Sequence, residues 1–207
     1  KKIDGVMKEL SKIVSNGGNI LFVGTKSQAK DAIQLSADHC GMFYITERWL
    51  GGTLTNYSTI KKSIRRLKLL EKDSSPIYAN LTKKERSMLD REKLRLADLH
   101  RGIKDMRHLP SAIFVVDAKH EKIAISESKC LGIPTFGIVD TNTDPDVIDF
   151  PIPANDDSIK TIQLILNYIA TSLQELMGQS QKSDDSPSLT NAETLDTSVI
   201  EGASTTL

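Results

Sequence analysis

Three short apolar runs decide what this chain can fold into. Ile20 to Val23, Ala112 to Val116 and Thr135 to Val139 show no alternation of polar and apolar residues. A strand with one wet face alternates with period two. An unbroken run is expected of a strand buried on both faces, as in a parallel sheet covered by helices. Helical patterns lie between the runs. Ile3, Val6, Met7, Leu10, Ile13 and Val14 recur at helical spacing, and Asn16-Gly17-Gly18 ends that helix. Gly24-Thr25-Lys26-Ser27 turns into a second helix carrying Ala29, Ala32, Ile33, Ser36, Ala37 and Cys40 on one side. Met42 to Ile45 reads as another strand and Asp149 to Ile152 as a brief last one, with helices predicted at Glu121–Leu131 and Asp157–Leu176. Strands alternating with helices mean βαβ units with right-handed crossovers. Five strands suit an α/β, flavodoxin-like three-layer sandwich around a parallel sheet. The strand order itself is not in the sequence.

The second and third strands are separated by roughly 65 residues, far more than a crossover of about 10–12 needs. The excess is helical by pattern and predicts an inserted hairpin. Its first helix, about Thr55 to Lys72, gathers Ile60, Ile64, Leu67 and Leu70 on one side and Lys61, Lys62, Arg65, Arg66, Lys68 and Lys72 on the other. Asp73-Ser74-Ser75-Pro76 breaks it. Thr82-Lys83-Lys84-Glu85 fits a capping box opening a second helix to about Leu99, with a thinner stripe of Met88, Leu89, Leu96 and Leu99. The expected organisation is a sandwich domain over 1–54 and 108–176, a basic helical hairpin over 55–107, and a disordered acidic tail over 177–207, which has no apolar period.

Charge follows that division. The 207-residue chain has 27 Lys or Arg against 27 Asp or Glu, a balance that at first argues against a polyanionic partner. The tail from Met177 holds one base and five acids, and removing it leaves 26 bases against 22 acids. Between Asn56 and Arg107 stand 15 bases and 7 acids. Cations on one helix face repel each other unless a polyanion neutralises them, so nucleic acid is the expected partner; a plain solvated face is the alternative. Cys40 and Cys130 are far apart, so buried thiols in a reducing compartment are expected. No apolar run reaches transmembrane length and no signal peptide is visible, which predicts a soluble intracellular protein.

Other residues could carry chemistry. Glu47-Arg48-Trp49-Leu50-Gly51-Gly52-Thr53-Leu54-Thr55-Asn56 follows a strand and opens a helix. Trp49 could stack on a base or pack the insertion onto the sheet, and Asn56 could cap the helix or meet a phosphate. Gly24-Thr25-Lys26 stands where a phosphate loop belongs, but neither nucleotide fingerprint is present. Asp117 and Asp140 end predicted strands, with Asp144, Asp146, Asp156 and Asp157 near in sequence; a Mg2+ site, an acidic phosphotransfer pocket or ordinary caps and turns all fit. His39, His100, His108 and His120 are scattered without zinc spacing. No Ser or Cys nucleophile with a partnered His is evident. A nucleotide-dependent enzyme on such a sheet remains the alternative function.

Several strings are more specific. Ile20-Leu-Phe-Val-Gly-Thr-Lys26, the Glu47–Asn56 string, Leu81-Thr-Lys-Lys-Glu85, Gly102-Ile-Lys-Asp-Met106 and Leu109-Pro-Ser-Ala-Ile-Phe-Val-Val-Asp117 with His120-Glu121 stand in that order. Leu131-Gly-Ile-Pro-Thr-Phe-Gly-Ile-Val-Asp-Thr-Asn-Thr-Asp-Pro-Asp146 and Ile152-Pro-Ala-Asn-Asp-Asp-Ser-Ile-Lys160 follow. From about Lys1 to Leu176 the chain closely resembles the S-two family of small-subunit ribosomal proteins of bacteria and organelles. The resemblance implies a flavodoxin-like sheet with a protruding coiled-coil hairpin. It also implies a non-enzymatic structural role on small-subunit ribosomal RNA, with the large RNA-binding protein S-one as a neighbour. The residues it implies for RNA contact are Arg48, Trp49, Gly51, Gly52, Asn56, Lys61, Lys62, Arg65, Arg66, Lys68, Lys83, Lys84 and Lys104. No cofactor, catalytic residue, resident metal, small-molecule substrate, membrane or homo-oligomer is expected, and the place is the bacterial cytoplasm or an organelle interior. Family members usually carry a Gly-, His- and Arg-containing segment ahead of the first helix; it is absent here, so residues upstream of Lys1 are expected.

Overall fold

Parallel strands are joined by crossovers, so the connecting helices fall on the sheet faces and each strand loses both sides to packing. The computed structural model describes residues 2–72, 78 and 81–184 and has this arrangement. In chain order the elements are α1 (Lys2–Ser15), β1 (Ile20–Val23), α2 (Lys30–His39), β2 (Phe43–Ile45), α3 (Tyr57–Glu71), α4 (Lys83–His100), β3 (Ala112–Val116), α5 (Lys122–Cys130), β4 (Thr135–Val139), β5 (Phe150–Pro153) and α6 (Ile159–Asp184). The five strands form one parallel sheet in the order β2-β1-β3-β4-β5, the flavodoxin-like order.

Alternate strand residues build two cores. Ile20, Phe22, Phe114, Val116, Phe136 and Ile138 face α1, α2 and α6. Leu21, Val23, Ile113 and Val115 face the other way, against Ala124 and Ile125 of α5, against Trp49 and Leu54 of the loop after β2, and against Tyr57, Ile60, Ile64, Ile103 and Met106 of the insertion. The root of the insertion therefore covers one side of the sheet. Its return path crosses β2 so closely that a Cβ at Gly102 would collide with the Tyr44 carbonyl oxygen and ring. Gly102→Ala is expected to cost about 1–3 kcal/mol, because a backbone atom cannot yield as a side-chain tip does; urea unfolding measures it.

The two helices of the insertion run antiparallel. The Ser63 hydroxyl meets His100 Nε2 at 2.8 Å near the root. Farther out, Arg66 donates from Nε and Nη2 to the two carboxylate oxygens of Glu92, at 3.0 and 3.1 Å. His100 is buried, and burial pushes its pKa down, keeping the ring neutral. The Thr82–Glu85 capping box forms as expected. Met88, expected in the α4 stripe, is instead exposed, while Leu89, Leu96 and Leu99 are half-buried.

Several local expectations shift. Cys40 is buried, its thiol pushed up to about 11 by burial, but Cys130 is exposed. It lies roughly 200° around α5 from the buried Ser128, on the solvent side. α6 passes the expected end at Leu176 and continues through Gly178 to Asp184, supported by the partly buried Met177 that packs against the first core. The remainder of the acidic tail (185–207) and the Asp73–Pro76 breaker lie outside the described residues. Among the described residues no helix is long and apolar enough to cross a membrane.

Candidate nucleic-acid interface

α3 buries Tyr57, Ile60, Ile64, Leu67 and Leu70, which leaves its cations on the remaining faces. Lys61, Arg65 and Lys68, spaced by four and three, project on one side. Across from them the segment after α4 brings in Lys104 and Arg107, and together these five cations line a cleft of about 310 Å³. Lys68 Nζ reaches Asp105 at 2.9 Å, and Lys104 pairs with Glu71. Lys61 lies over the Tyr57 ring, 4.8 Å from its centroid. Lys61, Arg65, Arg107 and the exposed Lys62 have no acidic partner among the described residues. The Lys68–Asp105 pair is solvent-exposed and worth less than about 1 kcal/mol, so a phosphate can displace the carboxylate at small cost.

The other expected arm residues separate. Arg66, one position from Arg65, turns towards α4, where Glu92 holds it and raises its pKa. Its bond is therefore a brace between the two helices. Lys83 and Lys84 are exposed in the first turn of α4, at the opposite end from His100, and do not line the cleft. Cations there oppose the helix dipole by about 0.3–1 kcal/mol each, a cost that an external anion would remove.

The Arg48–Asn56 loop is organised by a residue that nothing in the sequence marked. Glu127, buried on α5, receives the Trp49 indole N–H at 3.1 Å and the Gly52 amide at 2.7 Å on one oxygen. Its other oxygen receives the amides of Leu54 and Thr55 at 2.9 and 3.2 Å and the Thr55 hydroxyl at 3.2 Å. Burial alone would raise the Glu127 pKa, but these bonds prevail and it is lowered. Trp49 is only 7% exposed. Packing, not stacking, is the alternative this geometry supports. Gly52 adopts φ +86°, which favours glycine, and its amide is spent on Glu127. Arg48, Gly51 and Asn56 remain exposed. Asn56 stands at the N-cap position of α3, its Oδ1 accepting from the Ser58 and Thr59 hydroxyls at 3.1 and 3.0 Å.

The carboxyl ends of the strands have the opposite sign. The Thr25 amide and hydroxyl both donate to the buried Glu121, at 2.9 and 2.6 Å. Lys26 Nζ bonds Asp157 at 2.6 Å, Asp156 at 2.9 Å and Asp117 at 3.3 Å. Although burial opposes its charge, these partners raise its pKa. The Gly24-Thr25-Lys26 turn is thus filled by carboxylates where a phosphate loop would hold a nucleotide. Asp144 accepts from the Asp146 amide, the turn-forming alternative. Of the four histidines only His100 is buried; the others are exposed and dispersed.

Arg107 joins the cleft only through tertiary structure, having been one base among many in sequence. A family model described as Ribosomal protein S2 matches residues 1–175. The small ribosomal subunit protein uS2 of Fusobacterium nucleatum subsp. nucleatum is 49% identical over 177 residues, spanning 84% of this chain and 72% of that protein. A match over most of the length, on a parallel sheet that carries a cationic hairpin, means that the chain belongs to the ribosomal protein S2 family.

Proposed function

We propose that this chain is a structural constituent of the small ribosomal subunit and binds small-subunit ribosomal RNA with one cationic cleft. The carrying observation is the convergence of Lys61, Arg65, Lys68, Lys104 and Arg107, from two separate segments, on a single concavity. Contacts of this type neutralise phosphates and fix position without reading bases. Lys62, Arg48, Gly51 and Asn56 extend the surface, and Lys83 and Lys84 offer a second contact at the outer end of the arm. Trp49, Gly52 and Arg66 support the reading indirectly, by holding the loop and the hairpin in shape. The arm over 55–107 is the gripping part and the sandwich over 1–54 and 108–176 its mount, although the two share a core.

The role is structural and not enzymatic. The nucleotide-dependent alternative is unsupported, because the family is one of ribosomal proteins and carboxylates occupy the turn a nucleotide would need. Family resemblance supports protein S-one as a neighbour, a single copy per subunit, and a location in the bacterial cytoplasm or an organelle interior.

The test is sedimentation with small subunits across a salt series. The protein is expected to pellet at moderate salt and to be stripped at high salt. In RNA binding by the isolated protein, log K should fall with log salt by about 0.7–0.9 per phosphate neutralised. Affinity that ignores salt would remove charge neutralisation as the basis of the grip.

A further inference from the structure

We propose that Asp105 and Glu71 set the selectivity of the cationic cleft, by holding two of its five cations until a folded RNA takes them over. The inference rests on the RNA-binding reading above and deepens it. The two acids are placed reciprocally. Lys68 on α3 reaches Asp105 on the return path at 2.9 Å, and Lys104 on the return path reaches back to Glu71 on α3. Each wall thus lends an ammonium to a carboxylate of the other. Asp105 lines the cleft itself, and Glu71 stands about one turn beyond Lys68.

The free protein therefore offers a polyanion fewer cations than its cleft contains. Lys61, Arg65 and Arg107 have no acidic partner among the described residues and stay open. Lys68 and Lys104 must first release a carboxylate. That exchange swaps one anion for another, so it neutralises little additional charge. A flexible strand must also order every sugar–phosphate unit that makes the exchange, and the entropy lost outweighs so small a gain. A folded RNA has its phosphates fixed beforehand. Once anchored on the three open cations, it presents the next phosphates at an effective concentration in the millimolar range, and both carboxylates give way.

A plain cross-link between the walls is the competing role. The Asp105 side chain is 82% exposed, too open for its ion pair to hold the walls together. They are joined from beneath in any case, where the buried Tyr57 donates its hydroxyl to the carbonyl oxygen of the buried Met106 at 2.5 Å. What the acids do control is charge: Lys68 and Lys104 both line the cleft, so losing either acid leaves a free ammonium facing the open concavity.

The test measures binding of the full chain to poly(U), an unstructured probe, and to small-subunit ribosomal RNA over a salt series. Asp105→Asn combined with Glu71→Gln frees two ammonium groups. Affinity for poly(U) is expected to rise at least about thirtyfold at low salt. The slope of log K against log salt should steepen by about 1.4, or 0.7 for each freed cation on a single strand. Small-subunit RNA displaces both carboxylates already, so its slope should stay the same and its affinity should rise at most about fivefold in all. Asp90→Asn, which removes an exposed acid of α4, is the charge control and should leave both slopes unchanged. Circular dichroism should show every variant folded. An unchanged poly(U) slope in the double variant overturns the proposal and leaves the acids as cross-links. It is equally overturned if the two RNAs gain alike, or if Asp90→Asn steepens the slope as much. Salt-insensitive binding by the unaltered chain would instead strike the RNA-binding reading itself, whereas steep salt dependence with a silent double variant strikes this inference alone.

Discussion

A chain with Lys61, Lys62 and Arg65 all replaced by Glu is expected to fold normally and to bind small-subunit ribosomal RNA roughly a thousandfold more weakly at moderate salt, at about tenfold per lost phosphate contact. These three are chosen because none has an acidic partner among the described residues, so nothing inside the protein is broken with them. Lys61 does lose its place over the Tyr57 ring, a contact worth about 0.5–1 kcal/mol when exposed. The slope of log K against log salt should also become shallower by about 3, one for each phosphate no longer neutralised. Filter binding over a salt series reads both effects, and circular dichroism checks the fold. Lys83→Glu with Lys84→Glu is the comparison, altering charge at the far end of the arm, where only the second contact is proposed. If that pair is as damaging per residue as the triple, of which Lys61 and Arg65 line the cleft and Lys62 flanks it, the cleft is not the main grip. If the triple binds as before, the cleft has no part in RNA recognition.

Glu127→Ala is expected to destabilise the fold by about 3–5 kcal/mol, among the largest effects open to a single substitution here. It strips the acceptor from the Trp49 indole and from the amides of Gly52, Leu54 and Thr55 in one step. Trp49 and Leu54 are buried, so their donors would be left unsatisfied, while the half-buried Gly52 and the exposed Thr55 can turn to water. Glu127→Gln should also destabilise, because one amide end presents hydrogens to hydrogens. The pH dependence follows from the depressed pKa. Stability from Glu127 is fully present above its unfolded value, about 4.3, and is lost as pH falls through the lower folded value. Denaturant midpoints of the unaltered chain and Glu127→Ala should therefore converge in acid. A constant difference down to pH 2 would mean that the ionised form is not what the loop holds.

What could be read in advance was local. β1, β3 and β4 begin and end where the runs do, because burial on both faces fills them with apolar residues apart from Thr135, whose hydroxyl bonds Asp149. Thr82 and Glu85 announced the start of α4, since a capping box is a contact between residues three apart. What escaped was long-range. Glu127 and Glu121 are ordinary acids in sequence, 72 to 96 residues from the groups they hold. Trp49 offered the same side chain to a base or to a core, and its burial with the Glu127 acceptor favours the core. Arg65 and Arg66 looked equivalent, yet about 100° of helix rotation gives one to the cleft and the other to Glu92. Arg107 and Lys104 became part of a site only when the return path carried them beside α3.

The shared core also dictates how the arm can be shortened. Its inner portion, through Tyr57, Ile60 and Ile64, roofs Leu21, Val23, Ile113 and Val115. Trimming from the tip removes basic surface and leaves the roof in place; excision at the root would open a fully apolar flank of the sheet to water. The proposed grip on RNA therefore cannot be discarded as a detachable accessory, because the same helix that reaches outward also covers an apolar flank of the sheet.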